Sequence, residues 1–219
     1  MPGMWPFMVG ATAGAAAAAA AGELWVWGTG GSGQLGLGNI TNYSSPKQVG
    51  SLTDWASATG RYTQSAAVKT DGTLWTWGAN TNGQLGLGNI TDYSSPKQVG
   101  ALTNWSSIAC ISTAMMAIKT DGTLWGWGSN GSGRLGIGNT TNYSSPKQVG
   151  TLTTWSKVGG YSHVLAVATD GTLWGWGAGT DGKIGLGNIT ISNNSKIRMA
   201  SISPASKNTS AIGLAPNQI

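Results

Sequence analysis

The chain has 219 residues, of which 9% are charged and 36 are glycine, and its formal net charge is +5. That length supports one good-sized core, and a charged fraction so far below the usual value of about 25% suits short strands joined by tight turns. One cysteine and one histidine exclude an intrachain disulfide and a Cys/His zinc site, and basic residues standing singly argue against a nucleic-acid track.

In chain order, the first feature is an alanine-rich apolar stretch from Phe7 to Ala21. No basic residue precedes it, since the first is Lys47, and it is too short to span a bilayer. An uncleaved hydrophobic signal or anchor is one reading of it. Internal repetition gives a better one. Trp5, Trp55, Trp105 and Trp155 recur at intervals of 50 residues, Gly10 aligns with Gly60, and Gly22 aligns with Gly72 and Gly122. The alanine run then falls on Ser65 to Thr70, a predicted strand of the second copy, so the opening reads as a degenerate first repeat.

Leu24-Trp-Val-Trp-Gly28 returns at 74–78, 124–128 and 173–177. Gly33-Gln-Leu-Gly-Leu-Gly-Asn39 returns at 83–89, 133–139 and 182–188, with changes that include Arg134 and Lys183. Tyr43-Ser-Ser-Pro-Lys-Gln-Val-Gly50 is repeated letter for letter at 93–100 and 143–150. Four copies follow: 5–54, 55–104, 105–154 and 155–203, the last degenerate at its end. Residues 204–219 read as a polar tail.

Each copy predicts about four short strands. In the second these are Trp55 to Thr59, Ser65 to Thr70, Thr73 to Gly78, and a proline-started strand from Pro96 to Gly100. Asp71-Gly72, repeated as Asp121-Gly122 and Asp170-Gly171, signals a type I′ hairpin turn. Trp75 and Trp77 fall on one face by two-residue alternation.

Leu-Trp-x-Trp-Gly, Asn-x-x-Gly-Gln-Leu-Gly-x-Gly, the later Pro-x-x-Val and the run Gly160 to His163 resemble the repeats of the RCC1 (regulator of chromosome condensation) family over most of the chain. The resemblance implies an all-β fold in which each repeat supplies a β-propeller blade. The family's usual ring has seven blades, which needs about 350 residues, so four copies imply a partial, small or oligomer-completed propeller, or a truncated reading frame. An open arc leaves apolar blade faces uncovered, which favours assembly with further copies or with another protein.

The chemical motifs are weak. Gly28-Thr-Gly-Gly-Ser-Gly33 matches a dinucleotide fingerprint, but Gln34-Leu-Gly-Leu-Gly-Asn39 cannot form the helix that fingerprint needs. His163 has Gln64 and Ala114 as counterparts, and Asp71, Asp121 and Asp170 read as hairpin residues, so no acid/base constellation assembles. No catalytic residue, cofactor or metal is expected.

Partner contacts are expected on two kinds of position. Lys47, Lys97 and Lys147, with Lys196, recur once per copy and would line one rim. The segment before the second strand varies between otherwise near-identical copies, which marks Arg61, Tyr62, Thr63, Ile111, Ser112, Tyr161 and Ser162 as loop positions free to contact a partner. A second variable patch is Thr29 to Ser32 and its counterparts. The expected function is a non-enzymatic protein-interaction or assembly subunit, with a bacteriophage virion surface or tail as the specific role and virion or cell surface as its place. The alternatives are a regulator of the guanine-nucleotide-exchange or chromatin-binding kind, which the family name suggests, and an inhibitor of a bacterial enzyme such as a β-lactamase.

Overall fold

The structure, a computed structural model, describes residues 7–10, 22–178 and 192–201. The alanine run 11–21, the loop 182–188 and the tail 204–219 lie outside the described residues. The chain is all-β, with four successive sheets arranged as propeller blades. The first holds β1 (Phe7–Gly10), β2 (Leu24–Gly28) and β3 (Tyr43–Gln48). The second is β4 (Trp55–Arg61), β5 (Gln64–Lys69), β6 (Leu74–Gly78) and β7 (Tyr93–Gln98). The third is β8 (Trp105–Ile111), β9 (Ala114–Lys119), β10 (Leu124–Gly128) and β11 (Tyr143–Gln148). The fourth is β12 (Trp155–Gly160), β13 (His163–Ala168), β14 (Thr172–Gly177) and β15 (Ser192–Ser201). No helix among the described residues is long and apolar enough to cross a membrane.

In the last three blades each strand pairs antiparallel with the next. The first blade differs. The equivalence of Gly10 with Gly60 predicts an innermost strand there, but β1 runs parallel to β2, from Phe7↔Leu24 to Gly10↔Trp27. It therefore stands in the slot that β5, β9 and β13 fill elsewhere. A parallel pair needs a crossover of about a dozen residues, and segment 11–23 is long enough to supply it.

Three local expectations are corrected. Asp71-Gly72 is not a type I′ turn, because only Gly72 has positive φ, at 78°. The Gly72 amide donates to the Lys69 carbonyl at 3.0 Å and the Lys69 amide to the Thr73 carbonyl at 2.9 Å, the pattern of a three-residue loop with a left-handed glycine. The aspartate acts through its carboxylate: Asp71 Oδ1 accepts from the Thr73 amide at 2.9 Å and the Thr73 hydroxyl at 2.7 Å. The hydroxyl bond above all, and then the amide, hold this carboxyl below its ordinary pKa. The fourth strand starts at Tyr93 rather than Pro96, since proline is tolerated inside an outermost strand whose far edge is unpaired. And Lys196 does not share the register of Lys47, Lys97 and Lys147. Those pair with Val26, Thr76 and Gly126, whereas Gly175 pairs with Ile197.

The core lies between blades. One cluster joins the first two: Leu24, Val26, Leu35 and Val49 meet Trp55, Ala67 and Trp77. Equivalent clusters join the second to the third and the third to the fourth. Two-residue alternation explains the pattern, since Leu24 and Val26 face forward while Trp75 and Trp77 of the next blade face back. In the second, third and fourth copies the second tryptophan of the motif is hydrogen-bonded back across the junction. Trp77 Nε1 donates to the Gln34 carbonyl at 2.9 Å, Trp127 to Gln84 at 2.9 Å, and Trp176 to Arg134 at 2.8 Å.

Trp55, Trp105 and Trp155, each the first tryptophan of its copy, pack against the two tryptophans of their own blade's motif. Trp55 lies 6.3 Å from Trp75 and 6.2 Å from Trp77, ring centre to ring centre. A lysine ammonium sits over the rings, Lys69 at 5.0 Å from Trp55 and 4.7 Å from Trp75, and Lys119 at 4.9 Å from Trp105 and 3.8 Å from Trp125. The π-faces offset part of the cost of burying these cations, and Asp54 adds an ion pair to Lys69 at 3.3 Å. In the fourth blade the position opposite Trp155 is Ala168.

Candidate functional site

One end of the blades is made by the tips of the innermost strands and the turns that follow. β4 ends at Arg61, the chain turns at Tyr62 and Thr63, and β5 starts at Gln64. Tyr62 and Ser112 adopt positive φ, 50° and 51°, a conformation that costs side-chain-bearing residues about 1 kcal/mol or more. Neighbouring amides hold them there. Gln34 Nε2 donates to the Tyr62 carbonyl at 3.3 Å, and Gln64 Nε2 donates to the Ser112 carbonyl. A glutamine amide thus holds the turn of the following blade at each of the first two junctions.

The second blade also reaches past the third to the fourth. Arg61 Nη1 donates to the Gly160 carbonyl at 3.2 Å. Its guanidinium lies 4.6 Å from the Tyr161 ring centre and 5.9 Å from that of Tyr62. The two tyrosine rings are 6.1 Å apart, and the Tyr62 hydroxyl donates to the Tyr161 hydroxyl at 3.4 Å. That hydrogen bond, and next the electrostatic effect of Tyr161, raise the Tyr62 pKa. Tyr62 is nevertheless 70% exposed and Tyr161 42%. A cavity of ≈ 540 Å³ lies alongside, walled by Thr29, Gly31 and Ser32 of the first blade and by Arg61, Tyr62 and Thr63 of the second. Two variable segments of the repeat therefore share one hollow.

The other expected positions separate. Ile111 is fully buried in the junction between the third and fourth blades. Strand β8 extends through it, so alternation turns its side chain into the core and not toward a partner. Ser112 is half-buried and offers its carbonyl to Gln64. Thr63 and Ser162 accept through their carbonyls from the Ala79 and Ala178 amides, at 2.7 and 3.1 Å. Lys47, Lys97 and Lys147 are exposed on the outermost strands, each ammonium over its own tyrosine, Tyr43, Tyr93 or Tyr143, at 5.6, 5.4 and 5.4 Å. They sit at the opposite margin of the blades from Arg61.

Arg134 was not expected here. It occupies the position of Gln34 and Gln84 and lies beside the Tyr161–Ser162 turn, where Gly177 is wedged: a methyl group on Gly177 would stand 3.1 Å from the Ser162 carbonyl oxygen and 3.4 Å from Arg134 Cα. Burial lowers the Arg134 pKa, against the opposing effect of nearby Tyr161. The sequence did carry a signal, a cation where two other copies have an amide.

Among the described residues no three His, Cys, Asp or Glu side chains converge. Cys110 is buried, and desolvation pushes its thiol up to about 12. The folded chain is expected to resist a thiol-specific disulfide reagent at pH 8 and to react at once in denaturant, because only the thiolate attacks. Rapid labelling of the native chain would show that Cys110 is reached by solvent.

The sequence model described as the regulator of chromosome condensation (RCC1) repeat matches residues 21–68, 71–118 and 121–167. A second RCC1-repeat model matches 158–183. A search of curated proteins found no match. Among solved structures, human WBSCR16 is similar at 25% identity and a TM-score of 0.73, over 82% of this chain and 48% of that one. Prp20p from Saccharomyces cerevisiae, described with its binding properties to Gsp1p and histones, is 23% identical with a TM-score of 0.69, over 80% and 46%. Yeast RCC1 (Prp20) with Kap60 bound gives 23% identity and a TM-score of 0.70, over 83% and 46%. The chain thus spans about half the length of the solved structures it matches.

Proposed function

The chain belongs to the RCC1 repeat family, and we propose that it is a non-enzymatic protein-binding scaffold whose contact surface is the rim around Arg61, Tyr62 and Tyr161. The observation that carries this reading is the exposed tyrosine pair stacked on an arginine. Tyrosine and arginine are enriched among residues that dominate binding energy, and Tyr62 holds a left-handed conformation at an exposed turn, where strain tends to mark function. The yeast relatives are proteins described with protein partners, which supports the same class of function.

The test compares the full chain with the double variant Tyr62→Ser, Tyr161→Ser in proximity crosslinking inside cells that express it. A partner crosslinked by the parent is expected to fall by about tenfold or more, as loss of hot-spot residues does, with the thermal midpoint nearly unchanged. Equal crosslinking by both would overturn the assignment of this rim.

A subunit of a larger assembly, such as a virion surface, is the finer form of this reading. Its support is that the three described junctions bury equivalent apolar residues, so blades of separate copies carry complementary faces; a defined oligomer by light scattering is the expected result. Regulation by contact stands beside it, supported by the likeness of fold to Prp20p. Accelerated nucleotide release from a small GTPase would move the reading there.

A further inference from the structure

Arg134 is where the repeat departs from its own rule. In the first two copies the residue at this position is a glutamine, and Gln34 Oε1 accepts from the Ser32 amide and Gln84 Oε1 from the Asn82 amide, both at 2.8 Å. An arginine has no acceptor and cannot make that bond. The main chain is unaffected, since the Arg134 carbonyl still takes the Trp176 indole N–H. The side chain Nε, however, is buried with no acceptor, and a buried guanidinium N–H without a partner is costly.

A second guanidinium approaches the same turn from the second blade. Arg61 uses one of its five N–H donors on Gly160 and stacks on Tyr161. Among the described residues neither arginine has a carboxylate at ion-pair distance, and the ion pair found there joins Lys69 to Asp54. Two cations thus stand near one tyrosine at this rim, and among the described residues Arg61 has one side-chain hydrogen bond and Arg134 Nε has none.

We propose that Arg61 and Arg134 form a carboxylate-binding site beside Tyr161, and that the segment docking on this rim is an acidic, extended peptide of a partner protein. The inference rests on the protein-binding reading above and names the partner's chemistry. The planar fork of an arginine matches a carboxylate, and the tyrosine faces fill the sides of such a pair. The ≈ 540 Å³ cavity that Arg61 and Tyr62 share with the first blade takes the next side chain along the peptide. A nucleic acid would need a track of cations following its phosphates. Here Lys47, Lys97 and Lys147 lie on the outermost strands, so the mouth offers a local charge and not a track.

The test uses the full chain and a fluorescein-labelled (Glu-Ala)4 peptide, followed by anisotropy at two salt concentrations. (Gln-Ala)4 and (dT)8 are the comparators. Binding of the glutamate peptide is expected, weaker at the higher salt, with no binding of the glutamine peptide. Arg134→Gln installs the residue that the first two copies carry there, and Arg61→Gln removes the other cation. Each is expected to weaken binding about tenfold, the scale of one lost charged hydrogen bond. Arg134→Lys, which keeps the charge and loses the fork, is expected to fall between parent and Arg134→Gln, and it serves if the glutamine variant folds poorly. Failure of the parent to bind the glutamate peptide, or unchanged binding by Arg134→Gln, would overturn the proposal. Displacement of the peptide by (dT)8 at equal affinity would overturn it too, assigning the site to phosphates. A partner crosslinked through Tyr62 and Tyr161 whose capture is unaffected by Arg134→Gln would leave the protein-binding reading standing and remove only this one.

Discussion

Gly86→Ala is expected to destabilise the chain by about 3 kcal/mol, the sum of a left-handed backbone penalty and overpacking. Gly86 has a φ of 72°, and a methyl group there would stand 2.7 Å from Trp127 Nε1. The indole cannot retreat, because it is fully buried and its N–H is held by the Gln84 carbonyl two residues before the glycine. Two other glycines separate the contributions. Gly100 shares the positive φ, 61°, but has open space around it, so Gly100→Ala is expected to cost about 1 kcal/mol. Gly131 has open space and no positive φ, and its alanine variant should stay within about 0.5 kcal/mol of the parent. Denaturant midpoints at constant m-value read all three. If Gly86→Ala and Gly100→Ala cost the same, contact with the neighbouring blade is not what requires glycine in this loop.

Trp127→Ala is expected to cost about 3–5 kcal/mol, the range for removing a large buried aromatic. Against a total stability of about 5–15 kcal/mol that is a large share. The indole packs with Leu74, Leu85 and Val99 of the second blade while standing 6.0 Å from Trp105 of its own, so both blades lose packing. Trp127→Phe keeps most of the apolar bulk and deletes the N–H, leaving the Gln84 carbonyl without its donor. Its expected cost is about 1–3 kcal/mol, that of an unsatisfied buried polar group. Near-ultraviolet circular dichroism should show the change spreading to the tryptophans around it. A phenylalanine variant as unstable as the alanine one would mean that the hydrogen bond, and not the packed volume, governs this junction.

Much of the framework is legible in the residues, because the terms that build it repeat. Trp55, Trp105 and Trp155 fix the period, Leu-Trp-x-Trp-Gly fixes the face, and the glycines of Gly-Gln-Leu-Gly mark where one blade touches the next. What could not be read depends on partners far apart in sequence. Asp71-Gly72 suggests a type I′ turn to anyone counting residue types, but the carboxylate finds the Thr73 amide and hydroxyl and keeps Asp71 out of positive φ. Ile111 varies between copies as a loop residue would, yet the strand runs through it. Pro96 resembles a strand start until the strand is known to be outermost. At the site, Arg61, Tyr62 and Tyr161 stand out by variation alone. Their meeting across 99 residues depends on how the blades curve, which no local pattern encodes. Arg134 was visible as a deviation inside a structural motif, and its significance needs the turn of the next blade.

The indole bonds across the junctions have a further consequence for the order in which the protein is built. Trp77 reaches back 43 residues, Trp127 another 43 and Trp176 another 42. Each closure costs nearly the same chain entropy, and none waits for a segment synthesised much later. On the ribosome, every newly emerged copy can therefore complete the copy made just before it, so assembly follows the direction of translation. A nascent chain halted after its second copy already owns one finished junction, and each further copy adds another of the same kind.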